Sequence, residues 1–296
     1  MTRRSEALAI LALVGITAVW GATFVLVKDA IAQMPVMAFL AWRFGIATLA
    51  MVALRPRSVA GLGRRGRRAG ALLGLALGTG YAAQTFGLRT TPASVSGFIT
   101  GMFVVFTPLI GGLLLHQRVG LPAWVAVAVA TCGLALISLR GVSVGRGEAL
   151  TLLCAVCFAL HIVGLGEWSS RHDAFPLAVV QLGSVTALCA VLALPLGGLA
   201  PPPDAGVWGA VGLTAILATA LAFVGQTWAQ AHLPPARTAV VLTLEPVFAG
   251  VFGVLLGGDR LGVATVVGAA LVIAAMLIIE LSPRPDAARP VERLEV

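Results

Sequence analysis

Few residues in this sequence can do chemistry, and those few stand in apolar surroundings. Glu245-Pro246 interrupts a run from Val240 to Leu256 that carries no other charge. A carboxyl group so placed can bind a cation or carry a proton, or it can be an acid bonded to a backbone carbonyl for purely structural reasons. Proline pushes the residue before it away from helical geometry, so a kink is expected beside the acid. Arg43 stands inside another apolar run, where it can hold an anionic group, pair with Glu245 or meet a helix C-terminus; the structural roles suit a group that cannot shed its charge. His161 can exchange a proton near neutrality or pack as a hydrogen-bonded ring. Tyr81, Gln84 and Thr85 share one face of a helix at i, i+3 and i+4, and Gln226 with Gln230 forms a similar face. Such polar stripes line wet cavities or hold helices together.

Other chemistry lacks its residues. Cys154-Ala-Val-Cys157 has redox or metal spacing, but no neighbouring His or second pair completes a site, so all four cysteines read as small buried apolar groups and no metal is expected. The His-Glu-x-x-His, Gly-x-Ser-x-Gly and P-loop strings are missing, so neither catalysis nor a cofactor is expected.

The elements that position these groups follow from composition. Of 296 residues, 59% are hydrophobic and 11% are charged, and mean hydropathy is +0.99. A water-facing surface cannot be built from so few polar residues, and 35 glycines suit helices that pack closely in lipid. The expected fold class is an all-α integral membrane protein in contact with the lipid bilayer. A net charge of +8 raises nucleic acid as a partner, but fourteen of the twenty Lys and Arg lie at the termini and in alternate loops, six of them between Arg55 and Arg68. That is a topology signal rather than a nucleic-acid footprint.

About 20 apolar residues span a bilayer. Charge and Gly/Pro clusters divide the chain into ten such stretches: 7–27, 36–54, 70–88, 94–115, 122–139, 149–166, 176–196, 207–229, 237–257 and 263–281. With the N-terminus inside, fourteen basic residues face the cytoplasm against five outside, which puts both termini in the cytoplasm of a cell (inner) membrane.

The chain also repeats at an offset of 142 residues. Glu6-Ala7-Leu8 matches Glu148-Ala149-Leu150, Gly70 matches Gly212, Gln84-Thr85 matches Gln226-Thr227, Pro92 matches Pro234, and Arg118 and Gly120 match Arg260 and Gly262. Residues 1–142 form a first five-helix repeat, and 143–296 a second with a short cytoplasmic tail. Five is odd, so the second enters the membrane inverted, and inverted repeats belong to secondary transporters. Residues 1–142 and 149–281 are expected to superpose after a rotation of about 180° around an axis in the membrane plane. Gly74-x-x-x-Gly78 and Gly97-x-x-x-Gly101 mark close helix contacts, and Pro108 and Pro246 bend the corresponding fourth and ninth helices.

Three strings resemble the EamA-like branch of the drug/metabolite transporter superfamily. They are WGATFVLVK (20–28), GLRTTPASVSGFITGMFVVFTPLIGGLLL (87–115) and PPARTAVVLTLEPVFAGVFGVLLGGDRLG (234–262). Arg43 falls where that family carries an Arg in its second helix. A departure is His116-Gln117-Arg118, where the family often has Gly-Glu-Arg; Gly258-Asp259-Arg260 keeps the acidic charge. The resemblance implies ten helices in inverted repeats and export of a small metabolite such as an amino acid, with a proton as one possible coupling ion. The alternatives are a membrane-embedded enzyme and a non-transporting membrane subunit. Substrate and oligomeric state are left open. A cavity is expected between the halves, with Trp20, Thr23, Tyr81, Gln84, Ser96, Thr100, His161, Gln226, Trp228, Thr238 and Glu245 as candidate substrate contacts, and Arg43, Pro108 and Pro246 in structural roles.

Overall fold

The computed structural model describes residues 3–91, 93–115, 119–138, 145–257 and 262–281. The triplet His116-Gln117-Arg118, residues 258–261 with Asp259 and Arg260, Pro92 and the C-terminal tail lie outside the described residues.

Regular structure among the described residues is helical. In chain order the α-helices are α1 (Arg3–Gln33), α2 (Val36–Leu54), α3 (Gly63–Gly87), α4 (Ala93–Gly101), α5 (Phe103–Leu115), α6 (Leu121–Ser138), α7 (Arg146–Trp168), α8 (Ala174–Ala193), α9 (Ala205–Ala215), α10 (Ala222–Gln230), α11 (Pro235–Leu242), α12 (Leu244–Gly257) and α13 (Val263–Leu281). A π-helical segment, Ile216–Leu221, joins α9 to α10. Backbone groups find no water inside hydrocarbon, so helices that satisfy their own N–H and C=O groups are what such a composition can build.

Five helical stretches among the described residues are long and apolar enough to cross a membrane: Ser5–Thr23, Val36–Leu54, Arg146–Arg171, Ala174–Leu196 and Ala205–Gln230. Large apolar side chains face outward on these and on the shorter helices. Leu49 on α2, Leu113 on α5 and Val263 on α13 are 70%, 77% and 81% exposed, which suits contact with lipid and not with water. The expected loop from Arg55 to Arg68 is shorter than its charges suggested. Ser58–Leu62 is a 3₁₀ turn, and Arg64, Arg65, Arg67 and Arg68 already sit exposed on the first turns of α3.

Contacts between the halves come in matched sets. α1 packs on α10 and α12, as α7 packs on α3 and α5. α2 packs on α9 as α8 packs on α3, while α2 meets α8 and α6 meets α13. The α3 contacts need glycine. A Cβ on Gly74 would collide with the Gln181 carbonyl oxygen, and one on Gly78 would lie 2.9 Å from Leu188. Gly97 differs from the expectation, because no atom of the described residues lies within 4 Å of where its Cβ would be.

Two spans are broken rather than bent, and at positions other than the prolines. The break between α4 and α5 is at Met102, with Pro108 lying inside α5. The other is at Thr243, whose N–H is shared between Ala239 O and Val240 O at 3.2 Å each and whose hydroxyl donates to Val240 O at 2.6 Å. The breaks fall within one residue of the repeat offset, whereas the prolines do not. Pro246 lies in the first turn of α12, where its missing N–H costs nothing, and Glu245 sits beside it in the same turn.

Candidate substrate cavity

A cavity of about 60 Å³ opens where α1, α2, α3, α5, α7, α10, α11 and α12 converge. Of the expected contacts, Trp20, Thr23, Tyr81, Gln84, His161, Gln226 and Glu245 line it, together with Arg43. Both halves supply its wall at matched positions. Trp20 and Ile162, Tyr81 and Phe223, Gln84 and Gln226, and Phe103 and Glu245 are each one repeat offset apart, and all eight line the cavity.

The aromatic wall is continuous. Tyr81 meets Phe158 edge-on at 5.2 Å and Phe223 at 6.2 Å, while Trp20 and His161 reach Phe223 at 5.7 Å and 6.1 Å. Aromatic faces carry negative electrostatic potential, so such a wall suits a cationic group.

The charged groups are held by the broken helices. In the π segment the Thr219 hydroxyl donates to Thr214 O at 2.9 Å, five residues back, and the extra residue in the turn leaves the Ala218 carbonyl open. Trp20 Nε1 donates to that carbonyl at 2.8 Å and Arg43 Nη2 at 3.3 Å, while Arg43 Nε donates to Thr219 Oγ1 at 2.8 Å. Arg43 also stacks over the Tyr81 and Phe44 rings at 5.2 Å and 5.4 Å. A carbonyl therefore receives Arg43, but it belongs to a π turn rather than a helix C-terminus. Glu245 reaches the cavity from the first turn of α12, an end that favours acidic side chains. Arg43 and Glu245 face one cavity, and the ion pairs found within 4.0 Å among the described residues are elsewhere: Arg171 with Glu167, and Arg237 with Glu6.

The second half adds two hydrogen-bond chains. His161 Nε2 lies 2.8 Å from Gln181 Oε1, Gln181 Nε2 lies 3.5 Å from Thr227 Oγ1, and Thr227 Oγ1 lies 2.6 Å from Phe223 O. Gln226 Nε2 donates to Gln230 Oε1 at 3.0 Å, and Gln230 Nε2 donates to Ile162 O at 2.8 Å. These residues are at most 2% exposed.

Four expected contacts do not line the cavity. Thr100 accepts from Gln84 Nε2 at 3.1 Å and so stands behind it. Trp228 packs on the His232 ring at 4.7 Å. Ser96 and Thr238, one repeat offset apart, are fully buried with hydroxyls that have no partner among the described residues. Pro108 and Pro246 are also absent from the wall. Sequence reasoning missed Gln181 and Thr219. Gln181 carries the same signal as Gln84, an amide in an apolar run; Thr219 carries none, because ILATAL shows nothing of a π turn.

Comparison with known proteins places this geometry in a family. An uncharacterized transporter of Archaeoglobus fulgidus is 31% identical over 264 residues, covering 89% of this chain and 82% of that protein. The uncharacterized transporter YyaM of Bacillus subtilis is 25% identical over 90% of this chain and 91% of its own. The threonine/homoserine exporter RhtA of Escherichia coli is 28% identical over 170 residues, 55% of each chain. A crystal structure matches the fold at a TM-score of 0.77 and 19% identity, over 95% of this chain and 98% of the other. The profile of the EamA-like transporter family matches twice, at residues 7–139 and 145–281. The chain is thus a multi-pass membrane transporter belonging to the EamA-like transporter family.

Proposed function

We propose that the protein is a secondary transporter that exports a small metabolite such as an amino acid, by alternating access between two inverted five-helix halves. The observation that carries this reading is the cavity wall, where repeat-related residues of both halves face one space that holds Arg43 and Glu245. The threonine/homoserine exporter among the relatives supports the substrate class and direction.

Ten crossings account for how the connections sort. Arg55 lies over Phe175 and Gly66 abuts His172, both at the arginine-rich start of α3, and Glu6 pairs with Arg237. Trp42 bonds Ala200 O, Gly197 abuts Pro35, and Thr91 bonds Glu148. With α4–α5, α9–α10 and α11–α12 each counted as one span, the first set falls on one face and the second on the other. The first face is the basic one, which favours both termini in the cytoplasm of the inner membrane. A cysteine at Gly61, where a Cβ meets nothing within 4 Å, then resists a membrane-impermeant thiol reagent in intact cells of a cysteine-free variant. Labelling there would overturn the orientation.

The transport test uses the full chain in proteoliposomes, with counterflow of radiolabelled amino acids and accumulation driven by a proton gradient. If Glu245 carries a coupling proton, Glu245→Gln abolishes gradient-driven accumulation and spares counterflow. Normal pH-dependent accumulation by that variant would leave Glu245 a structural residue. Absence of any flux in the parent across the amino acid panel would refute the substrate class.

A further inference from the structure

We infer that the cavity presents two hydrogen-bond acceptors of fixed direction, His161 Nδ1 and Gln226 Oε1, and that with Glu245 they make it a site for a primary ammonium group. This rests on the cavity being the ligand site of the transport reading.

The direction of each chain follows from the backbone carbonyl that ends it. A carbonyl only accepts. Thr227 Oγ1, 2.6 Å from Phe223 O, must spend its single proton there. It can therefore only accept from Gln181, which turns the Gln181 amide nitrogen toward Thr227 and its oxygen toward His161. His161 Nε2 must then carry a proton, and in the neutral ring Nδ1 is left with its lone pair. Nδ1 has no hydrogen-bond partner among the described residues, and His161 lines the cavity.

The second chain runs the same way. Ile162 O fixes Gln230 Nε2 as its donor, so Gln230 Oε1 faces Gln226 and must receive Gln226 Nε2. Gln226 Oε1 is left buried in the cavity wall with no partner among the described residues. A buried amide oxygen without a donor is unfavourable, and a ligand donor relieves it.

The ligand chemistry follows. Arg43 spends its Nε–H and one Nη2–H on Thr219 and Ala218, and its remaining N–H groups can meet only an acceptor. For a donor, the cavity offers two neutral acceptors, one carboxyl group and an aromatic wall. A group with positive charge and several N–H donors satisfies all of them. The aromatic wall alone favours a quaternary ammonium as much as a primary one. The two acceptors remove that indifference, because a fully methylated nitrogen has nothing to donate.

The test separates the site from the transport. The full chain, with His116, His172 and His232 replaced by Gln and histidine labelled with nitrogen-15, is purified in lipid nanodiscs. Its spectrum above neutral pH should show His161 as the Nε2–H tautomer. Thr227→Val and Gln181→Leu should each give mixed tautomers, and Thr227→Ser should restore the single one. Methylammonium should shift the Nδ1 resonance saturably, and tetramethylammonium at equal concentration should not. Gln230→Leu, which frees Gln226 to rotate, should weaken methylammonium by about tenfold. An Nδ1–H or doubly protonated ring, a tautomer indifferent to both chain variants, no shift by methylammonium, or equal shifts by the two cations would overturn the inference. A methylammonium shift in a protein that shows no amino acid flux would refute the transport reading and leave the ammonium site standing.

Discussion

The two halves share a fold and divide the chemistry between them. Thr85 and Thr227, one repeat offset apart, make the same bond, to Tyr81 O at 2.7 Å and to Phe223 O at 2.6 Å. From there the halves diverge. In the second, Thr227 continues into Gln181 and His161; the matching positions in the first are Phe39 and Val19, so the bond ends where it starts. Gln226 is wired to Gln230, whereas Gln84 is wired to Thr100 and position 88 is Leu. The π turn of 216–221 answers to 74–79, an unbroken stretch of α3 with Gly74 and Gly78 pressed on α8. Arg43 in turn answers to Val185. Helix packing tolerates a repeat because apolar contacts are non-directional, but hydrogen bonds need one donor for one acceptor and differentiate quickly.

The largest effect that can break this comparison is at the glycines of α3. Gly74→Val drives its first carbon into the Gln181 carbonyl, a backbone atom that cannot move aside, and should abolish recovery of folded protein in size-exclusion chromatography. Gly70→Ala meets the Val180 side chain at 2.8 Å and should cost about 1–3 kcal/mol in thermal unfolding. Its repeat partner Gly212 has no atom of the described residues within 4 Å, so Gly212→Ala should be neutral or stabilise by about 0.5–1 kcal/mol. Equal costs at the two positions would mean that the halves pack alike after all.

A second contrast sets Arg43 against Val185. Arg43→Met leaves the Ala218 carbonyl to Trp20 alone, removes the donor to Thr219 and leaves Glu245 without a positive neighbour across the cavity. It should lower flux at least about tenfold and reduce thermal stability by about 1.5–3 kcal/mol, in line with losing hydrogen bonds made by a charged group. Arg43→Lys should not rescue it, because one ammonium lacks the planar fork that reaches Thr219 and Ala218 together. Val185→Ala, by comparison, should cost about 1–3 kcal/mol and leave substrate affinity unchanged.

The smallest effect sharpens the contrast most. Thr85→Val removes one local bond and should cost about 0.5–1.5 kcal/mol, while Thr227→Val also removes the acceptor of Gln181 and should cost more, about 1–3 kcal/mol. Only Thr227→Val should also broaden the His161 ring signal, since Thr85 has no amide behind it.

The parts legible in the sequence were those that repetition or composition records. The expected stretch 36–54 coincides with α2, and 263–281 with α13, because charge and proline clusters mark their ends. Glu245, Arg43, Gln84, Gln226 and His161 could be named because a polar residue in an apolar run is costly and so conspicuous. The helix breaks were misplaced at the prolines because proline marks where an N–H is missing, not where the chain turns. At α12 it merely tolerates a helix start that Thr243 sets up. Trp228 and Thr238 stand on α10 and α11 without lining the cavity, and Ser96 and Thr100 belong to α4, which supplies none of the wall; composition records neither rotation about a helix axis nor which helix reaches a cavity.

The Ala218 carbonyl has one more consequence. It takes donors from Trp20 and Arg43, so the second half offers the acceptor and the first half brings both donors. Two copies of the first half would hold Arg43 twice and no such carbonyl, and two copies of the second would hold the carbonyl twice with Val185 where Arg43 should stand. Separately expressed halves should therefore join as unlike pairs and not as like ones. A protein assembled from a doubled plan has become, at this one atom, a lock with a single key on each side.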